Sequence, residues 1–470
     1  MPKTSVAPPA GRTVTAQIGK QGATHGPNPR RLALEILLRV EATDAYANLL
    51  LDARLRKVSL SRPDSALVTE LVYGILRLRG KLDWLLEPLL DRPLARLDPE
   101  VRLLLRLGAY QISCLTRIPH FAAVDETVSL AREVGVGRSA GYVNAVLRAL
   151  TRGSARLPPD PAVSPLAYWS GAGSHPAWLA ARWIDRLGPR EAGALMEANN
   201  RIPPLTLAVN RLKAEAEHVE QALRKDGNEV TSGRFFPDIY TLRGAGSPTG
   251  LPGFTAGSFF PMDEAGALPV AALDLRPGQR VLDACAGGGG KSALIAGAVG
   301  RTGEVVALDR SPRAIRRLTA AALRLGLAMI RPTLYDARAA GQALGGQFSR
   351  VLLDAPCSGL GTIRRRPEIK WRRQPKDLAQ AAALQAELLD GVEGTVATGG
   401  LLVYSTCSLE PEETDAVIGT FLDRHPDFAL EAPAPSLRLF SDAETGGILR
   451  AWPHRHDMDG FFVARLRRTA

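Results

Sequence analysis

The sequence predicts a multidomain chain: an all-α domain, a linker and small α/β module, and a doubly wound α/β domain towards the C-terminal end. Three observations carry this. Between residues 27 and 152 apolar residues recur at helical spacing, and no strand-like alternation competes with them. The stretch "GSARLPPDPAVSP" then breaks all periodicity with prolines and small residues. From about residue 270, short apolar runs ending in an acid or a small residue alternate with Ala/Leu/Arg-rich helical segments, the rhythm of a mainly parallel sheet.

Residues 1–26 are rich in Gly, Pro, Ala and Thr and are expected to form a disordered tail. Asn28 then offers a cap and Pro29 suits a first helical turn, with Leu32, Ile36 and Val40 on one face beside Ala33 and Leu37. A further helix opens at Asp98-Pro99, and two more cover "AAVDETVSLAREVG" and "SAGYVNAVLRAL". A linker is expected at 153–172 and a small α/β module at 173–255, where "HPAWLAARWIDRLGPREAGALMEANN" reads as two helices. In the last domain, 256–470, the strand candidates are residues 280–283, 304–309, 333–335, 351–354 and 401–405. In this architecture ligands sit beyond the carboxyl ends of the strands, and every motif described below lies just past one of them.

The net charge is +11, from 59 basic and 48 acidic residues, and favours a polyanionic partner such as nucleic acid or an anionic membrane surface. Four cysteines, none close to another in sequence, exclude a disulfide scaffold and indicate a reducing, cytosolic setting. No apolar run approaches the roughly 18 residues of a membrane span, and no apolar signal core opens the chain.

The stretch "DACAGGGGKS" (283–292) follows the first strand of the last domain. A triphosphate-binding loop needs glycine where Cys285 stands, so that reading fails. The dinucleotide pattern is met by Gly288, Gly290 and Ala293, with Asp309 closing the next strand 19 residues after Gly290. A nucleoside cofactor is therefore expected, with Asp309 accepting from ribose hydroxyls. NAD, FAD and S-adenosylmethionine share this geometry.

Two thiols help to choose among them. Cys357 follows the strand at 351–354 and Cys407 the strand at 401–405, both in polar turns on the ligand edge. A hydride-transfer enzyme needs neither thiol. A metal site would want four ligands, and Cys285, Cys357, Cys407 and a histidine lack the short Cys-x-x-Cys spacing. Methylation of pyrimidine carbon 5 does need a thiol, because addition at C6 pushes electron density onto C5. Asp354, at the end of the strand before Cys357, is placed to stabilise such an intermediate.

On these residues the chain resembles the RNA cytosine-C5 methyltransferases: "DACAGGGGK", "LLDAPCSGLGTIRRRPEIKW" and "YSTCSLEPEETDAV" look like that family's motifs. "RRLALEILLRVE", "LVTELVYGILR", "LLRLGAYQISCLTRIPHFAAVDETV" and "GYVNAVLRAL" resemble the NusB RNA-binding fold. The combination, with "SHPAWLAARW", "NNRIPPLTLAVNR" and "WPHRHDMDGFFVARL", is similar to the bacterial small-subunit ribosomal RNA methyltransferases of the RsmB (Sun, Fmu) type over about residues 28–468. The resemblance implies a NusB-like all-α domain, an α/β RNA-binding module and a Rossmann-like class I methyltransferase domain. It implies S-adenosylmethionine in the loop formed by Asp283, Ala284, Cys285, Ala286, Gly287, Gly288, Gly289, Gly290 and Lys291. Asp309, with Arg310 beside it, would hold the ribose, and Asp336 would lie by the adenine. Asp354 would border the cofactor and contact the cytosine. Cys407 would attack the ring, and Cys357 would help release the methylated product. The target base would be flipped out of its stack.

Small-subunit ribosomal RNA is the partner implied, for a cytoplasmic monomer. A tRNA substrate, or an assembly factor that has lost catalysis, are the alternatives. In "RRRPEIKWRRQPK" the cations Arg364, Arg365, Arg366, Lys370 and Arg372 flank Trp371, a pattern that offers charge for phosphates and a ring for stacking. Arg30, Arg31, Arg77, Arg79 and Lys81 add positive charge in the helical domain. "HRHDMD" (454–459) carries metal-like side chains, but the resemblance makes it a closing hairpin. The family's loop usually reads Cys-Ala-Ala-Pro-Gly-Gly-Lys, so Gly287 and Gly288 replace Ala and Pro here. Met262 stands where Gln is usual, and Ala208 where Arg is common.

Overall fold

In the computed structural model, residues 28–153, 157–244, 246–441 and 446–469 are described. The expected tail at 1–26 and residues 154–156 of the expected linker lie outside them. The described residues separate into two compact units, one within 28–44, 53–72 and 85–153, the other within 45–52, 73–84 and from 157 onwards.

The first unit is helical, built around the helices Pro29–Ala42, Pro99–Cys114, His120–Glu133 and Ala140–Thr151. Asn28 caps the first, its Oδ1 accepting from the amides of Arg30 at 2.9 Å and Arg31 at 3.4 Å. Leu32, Ala33, Ile36, Leu37 and Val40 are all buried, as their spacing requires. Arg106, only 2% exposed, donates to Glu41 at 2.6 Å, and Arg102 reaches the other oxygen of that carboxylate at 3.0 Å. Arg30, one of the basic residues of the helical domain, donates through Nε to Gln111 at 2.7 Å.

The second unit holds two sheets. The smaller contains β1 (Leu205–Val209), β2 (Glu229–Ser232), β3 (Ile239–Arg243) and β4 (Phe259–Pro261) in the antiparallel order β2-β3-β1-β4. The helix Ala216–Lys225 packs Val219 and Leu223 into the core that this sheet shares with Leu207, Val230 and Phe259. The expected helix pair before it is present: within Ala177–Asn200 two helices meet at a break at Gly188 (φ 77°), ahead of Pro189. Proline removes an amide donor there and glycine takes up the left-handed turn, which is why the sequence reads as two helices.

The larger sheet contains β5 (Arg280–Asp283), β6 (Glu304–Asp309), β7 (Ile330–Leu334), β8 (Phe348–Asp354), β9 (Val396–Thr406), β10 (Phe428–Leu430), β11 (Ile448–Ala451) and β12 (Phe461–Arg468). Its order is β10-β12-β9-β8-β5-β6-β7, with β11 on β12; β9-β8-β5-β6-β7 are parallel, and β10, β11 and β12 join antiparallel. Parallel strands covered on both faces must be apolar on both. Leu282, Val306, Leu308, Val351, Leu353, Leu402 and Tyr404 face one core, and Val281, Val305, Ala307, Leu352, Leu401 and Val403 the other.

Strand β7 starts three residues before the expected 333–335: Arg331 and Pro332 obscured it, and proline is tolerated on an edge strand. The "HRHDMD" turn connects the antiparallel strands β11 and β12. There His454 faces Glu191 at 2.7 Å, and the Nδ1 of His456 accepts the Trp452 amide at 2.8 Å. No helix among the described residues is long and apolar enough to cross a membrane.

Two segments that precede residue 85 are built into this second unit. The amide of Ala47 donates to Glu368 at 3.0 Å, Arg372 donates to the carbonyl of Ala45 at 2.7 Å, and the indole of Trp371 donates to the carbonyl of Leu76 at 2.7 Å. Ser174 links to the same stretch, donating to the Arg77 carbonyl and accepting the Gly80 amide, both at 3.0 Å.

Candidate active site

The chain reverses direction across the sheet at β5: β6 and β7 lie to one side, β8 and β9 to the other. The crevice beyond such a switch point is where ligands of this architecture sit. Asp283, Asp309 and Asp354 close β5, β6 and β8, and Cys407 follows β9 directly.

The glycine loop joins β5 to the helix Gly290–Val299. Gly287 sits at φ 57°, and its amide donates to Asp309 Oδ2 at 2.9 Å; Asp309 Oδ1 accepts from the Ser311 amide at 2.7 Å. Gly289 sits at φ 87°, in the left-handed region that favours glycine, and a Cβ there would lie 2.4 Å from Leu318 Cδ1, which would have to move aside. A Cβ at Gly287 or Gly288 would meet nothing within 4 Å, so the loop faces open space on that side. Met262 packs against the loop, its Cε 2.8 Å from where a Cβ on Gly290 would stand.

Asp283 is fully buried, and Ser292 donates to its Oδ2 at 2.6 Å. Its Oδ1 is also buried and has no partner among the described residues. Burial pushes this carboxyl up to about 7, against the Ser292 hydrogen bond. Burial likewise raises the Cys285 thiol, which leaves it inert as a nucleophile. Asp336 is held below the usual carboxylate range by Arg338, whose guanidinium approaches Oδ2 to 2.8 Å.

On the other side of β5, Lys291 Nζ pairs with Asp354 Oδ2 at 2.7 Å, and Ser405 Oγ donates to Asp354 Oδ1 at 2.8 Å. Burial opposes the lysine's charge, but Asp354 more than offsets it and holds Lys291 above its ordinary value. The ammonium also lies 4.9 Å from the centre of the Phe461 ring. The sulfurs of Cys357 and Cys407 are 3.1 Å apart. The pair is asymmetric. The hydrogen bond from Cys357 lowers Cys407 against the effect of burial, with Arg366 and Lys291 assisting. The same bond and burial raise Cys357 well above the ordinary thiol range. Cys407 is thus the more readily ionised thiol and Cys357 the one that keeps its proton.

The basic stretch after Cys357 differs from the solvent-facing strip its sequence indicates. Arg364 is 2% exposed and pairs with Asp457 at 3.1 Å. Lys370 is fully buried and donates to Asn200 at 2.9 Å, with burial lowering its pKa. Arg365 binds Asp263, Asp459 and the Pro204 carbonyl. Trp371 and Arg372 are half-buried, with donors engaged on Leu76 and Ala45. Of these six residues Arg366 alone is exposed, its guanidinium 5.1 Å from the Tyr46 ring. The expectation of an RNA-facing strip is therefore corrected at Arg364 and Lys370. Their partners come from distant segments, which local charge patterning does not reveal.

Gly361 fixes the thiol turns: its amide donates to the Cys407 carbonyl at 2.9 Å and its carbonyl accepts from Gly460 at 2.7 Å. A Cβ there would lie 2.2 Å from the Gly460 oxygen and 2.8 Å from the Cys407 oxygen. Gly361→Ala is expected to cost about 3 kcal/mol or more, because backbone atoms, unlike side-chain ends, cannot step aside; urea denaturation of the variant measures it.

A Rossmann-like sheet whose switch-point crevice carries a glycine loop and a strand-end acid is built for a nucleoside cofactor, and the family matches fix the class: this is an S-adenosylmethionine-dependent methyltransferase, with a NusB-type helical domain and a ferredoxin-like module. Residues 270–467 match the family model of the 16S rRNA methyltransferases RsmB/F, 27–152 the NusB family, and 175–247 the RsmF/B-like ferredoxin-like domain. The chain belongs to the RsmB/F family. A probable ribosomal RNA small subunit methyltransferase B of Bacillus subtilis is 38% identical over 93% of this chain and 98% of its own length. The ribosomal RNA small subunit methyltransferase B of Pseudomonas putida is 37% identical, over 94% of this chain and 99% of its own. Among solved structures, PH0851 superposes with a TM-score of 0.81 at 27% identity, covering 95% of this chain and 100% of that one.

Proposed function

We propose that the protein transfers a methyl group from S-adenosylmethionine to C5 of a cytosine in 16S ribosomal RNA, through a covalent bond between Cys407 and C6. The observation that carries this reading is the pair of thiols past the ends of adjacent strands, 3.1 Å apart, beside the Lys291–Asp354 ion pair.

The residues present fit the cofactor. The open face over Gly287 and Gly288 leaves room for it, and Asp309 supplies an acid for its ribose. The orphaned Asp283 Oδ1 is a further acceptor at the loop's root. Bound there, the sulfonium supplies an electrophilic methyl group. Cys407 adds as thiolate to C6, and the electron pair displaced onto C5 takes the methyl. Asp354, neutralised in part by Lys291, lies where it can contact the ring's polar edge. A water molecule then takes the C5 proton, the C5–H pair re-forms the ring double bond, the C6–S bond breaks with its pair on Cys407, and Cys357, held as a thiol, is placed to protonate the departing sulfur. Ribosomal RNA as substrate implies a cytoplasmic site of action.

Incubation with undermodified 16S rRNA and labelled S-adenosylmethionine, followed by mapping of 5-methylcytosine, tests the reading. A single modified cytosine in that RNA is expected. Label appearing in tRNA alone, or at a position other than C5, would overturn it. Asp309→Ala removes one charge-assisted hydrogen bond from the glycine loop, at Gly287, and one from Ser311, and is expected to weaken S-adenosylmethionine binding about tenfold or more, read by calorimetry.

A further inference from the structure

Glu413 is completely buried, and it lies six residues after Cys407. Its partners are all neutral donors. Oε1 accepts the Ser358 amide at 2.7 Å and the Gln385 side-chain amide at 3.1 Å. Oε2 accepts the hydroxyls of Ser358 and Ser408, each at 2.5 Å. Those serines are the residues that directly follow Cys357 and Cys407, and their own oxygens stand 3.2 Å apart. One carboxylate therefore grips both thiol turns at the same point of each. The grip is itself anchored: Tyr404 donates to the Glu413 carbonyl at 2.8 Å, and Gln385 also donates to the Pro356 carbonyl at 3.0 Å.

A buried carboxylate without a cation is costly unless several donors converge on it. Replacing the whole polar set by apolar side chains can serve fold stability as well, so the cluster calls for a role beyond it. We propose that Glu413 is the positioning residue for the two sulfurs, setting their separation by holding Ser358 and Ser408 on one carboxylate. This rests on the thiol mechanism proposed above and adds what keeps the two groups in register. The turns come from different strands, β8 and β9, and the parallel pairing of those strands ends at Asp354 and Ser405. Beyond that point the carboxylate takes over the work of the ladder. The negative charge also faces Cys357 and helps keep it a thiol, alongside Cys407 and Asp354.

The test is Glu413→Gln in the full chain. Glutamine keeps the acceptor for the Ser358 and Gln385 amides but turns a donor towards the two hydroxyls. The expected result is a split: kcat falls about 100-fold, the loss typical of a misplaced reacting group, while the KM for 16S rRNA and the Kd for S-adenosylmethionine stay within about twofold. Covalent capture by RNA carrying 5-fluorocytosine, which traps the Cys407 adduct, slows in parallel. A kcat within about threefold of wild type, or losses of kcat and cofactor affinity by the same factor, overturns the proposal. If Glu413→Gln does not fold, Ser358→Ala with Ser408→Ala decides: the double variant is expected to lose about 100-fold in kcat, and wild-type turnover overturns the proposal. Cys407→Ala is assayed alongside. Methylation by that variant sinks the thiol mechanism itself, whereas an inactive Cys407→Ala beside an active Glu413→Gln sinks only the clamp.

Discussion

Cys407→Ala abolishes methyl transfer while leaving S-adenosylmethionine binding intact. The expected loss is at least about 10⁴-fold, because without addition at C6 the C5 carbon has no electron pair to offer. The contacts made by the glycine loop, Asp309 and Asp283 do not involve the sulfur, so calorimetric affinity for the cofactor is unchanged. Its chemistry also has a pH signature. The neighbouring thiol lowers Cys407 and raises Cys357, so Cys407 reacts first with iodoacetamide near neutral pH. Its reactivity falls away as pH drops through the lowered value and the sulfur takes up a proton. Turnover by the alanine variant, or faster alkylation of Cys357, would overturn the assignment.

The second large effect is expected at Cys357. Cys357→Ser keeps the shape of the turn but replaces the group 3.1 Å from Cys407 with a far weaker acid. Addition and methyl transfer proceed, and release stalls. A protein–RNA species that survives denaturing electrophoresis should accumulate, with turnover reduced about 100-fold or more. The same gel with Cys407→Ala should show no such band. Adduct formation by Cys407→Ala, and none by Cys357→Ser, would reverse the two roles.

Much of the architecture was legible because its rules are local. The strands Arg280–Asp283 and Glu304–Asp309 were placed to the residue, since each is an apolar run closed by an acid. The capped helix at Pro29 declared itself through Asn28 and the spacing of Leu32, Ile36 and Val40. Strand β10, three residues long, carries too few positions to show a period, and antiparallel closure by β12 depends on partners far along the chain. The site divides the same way. Cys357, Cys407, Asp354 and Lys291 were visible as motif residues, and the fold brings them to one crevice. The basic stretch was misread at Lys370 and Arg364 because burial and pairing with Asn200 and Asp457 leave no trace nearby in sequence. Glu413 was missed for the converse reason: in "EPEETD" it looks like any solvated acid.

The stretches 45–52 and 73–84, built into the second unit, bear on how this protein can be divided. Cutting at the proline-rich interruption would leave the downstream fragment with Glu368, Arg372, Trp371 and Ser174 deprived of partners at Ala47, Ala45, Leu76, Arg77 and Gly80. Three of those four residues follow the Cys357 turn within 15 positions. Such a fragment would inherit every motif and still lack scaffolding. The upstream stretches are therefore part of the packing of the catalytic unit, and exchanging the two halves between relatives is expected to cost stability unless those stretches travel with the enzyme.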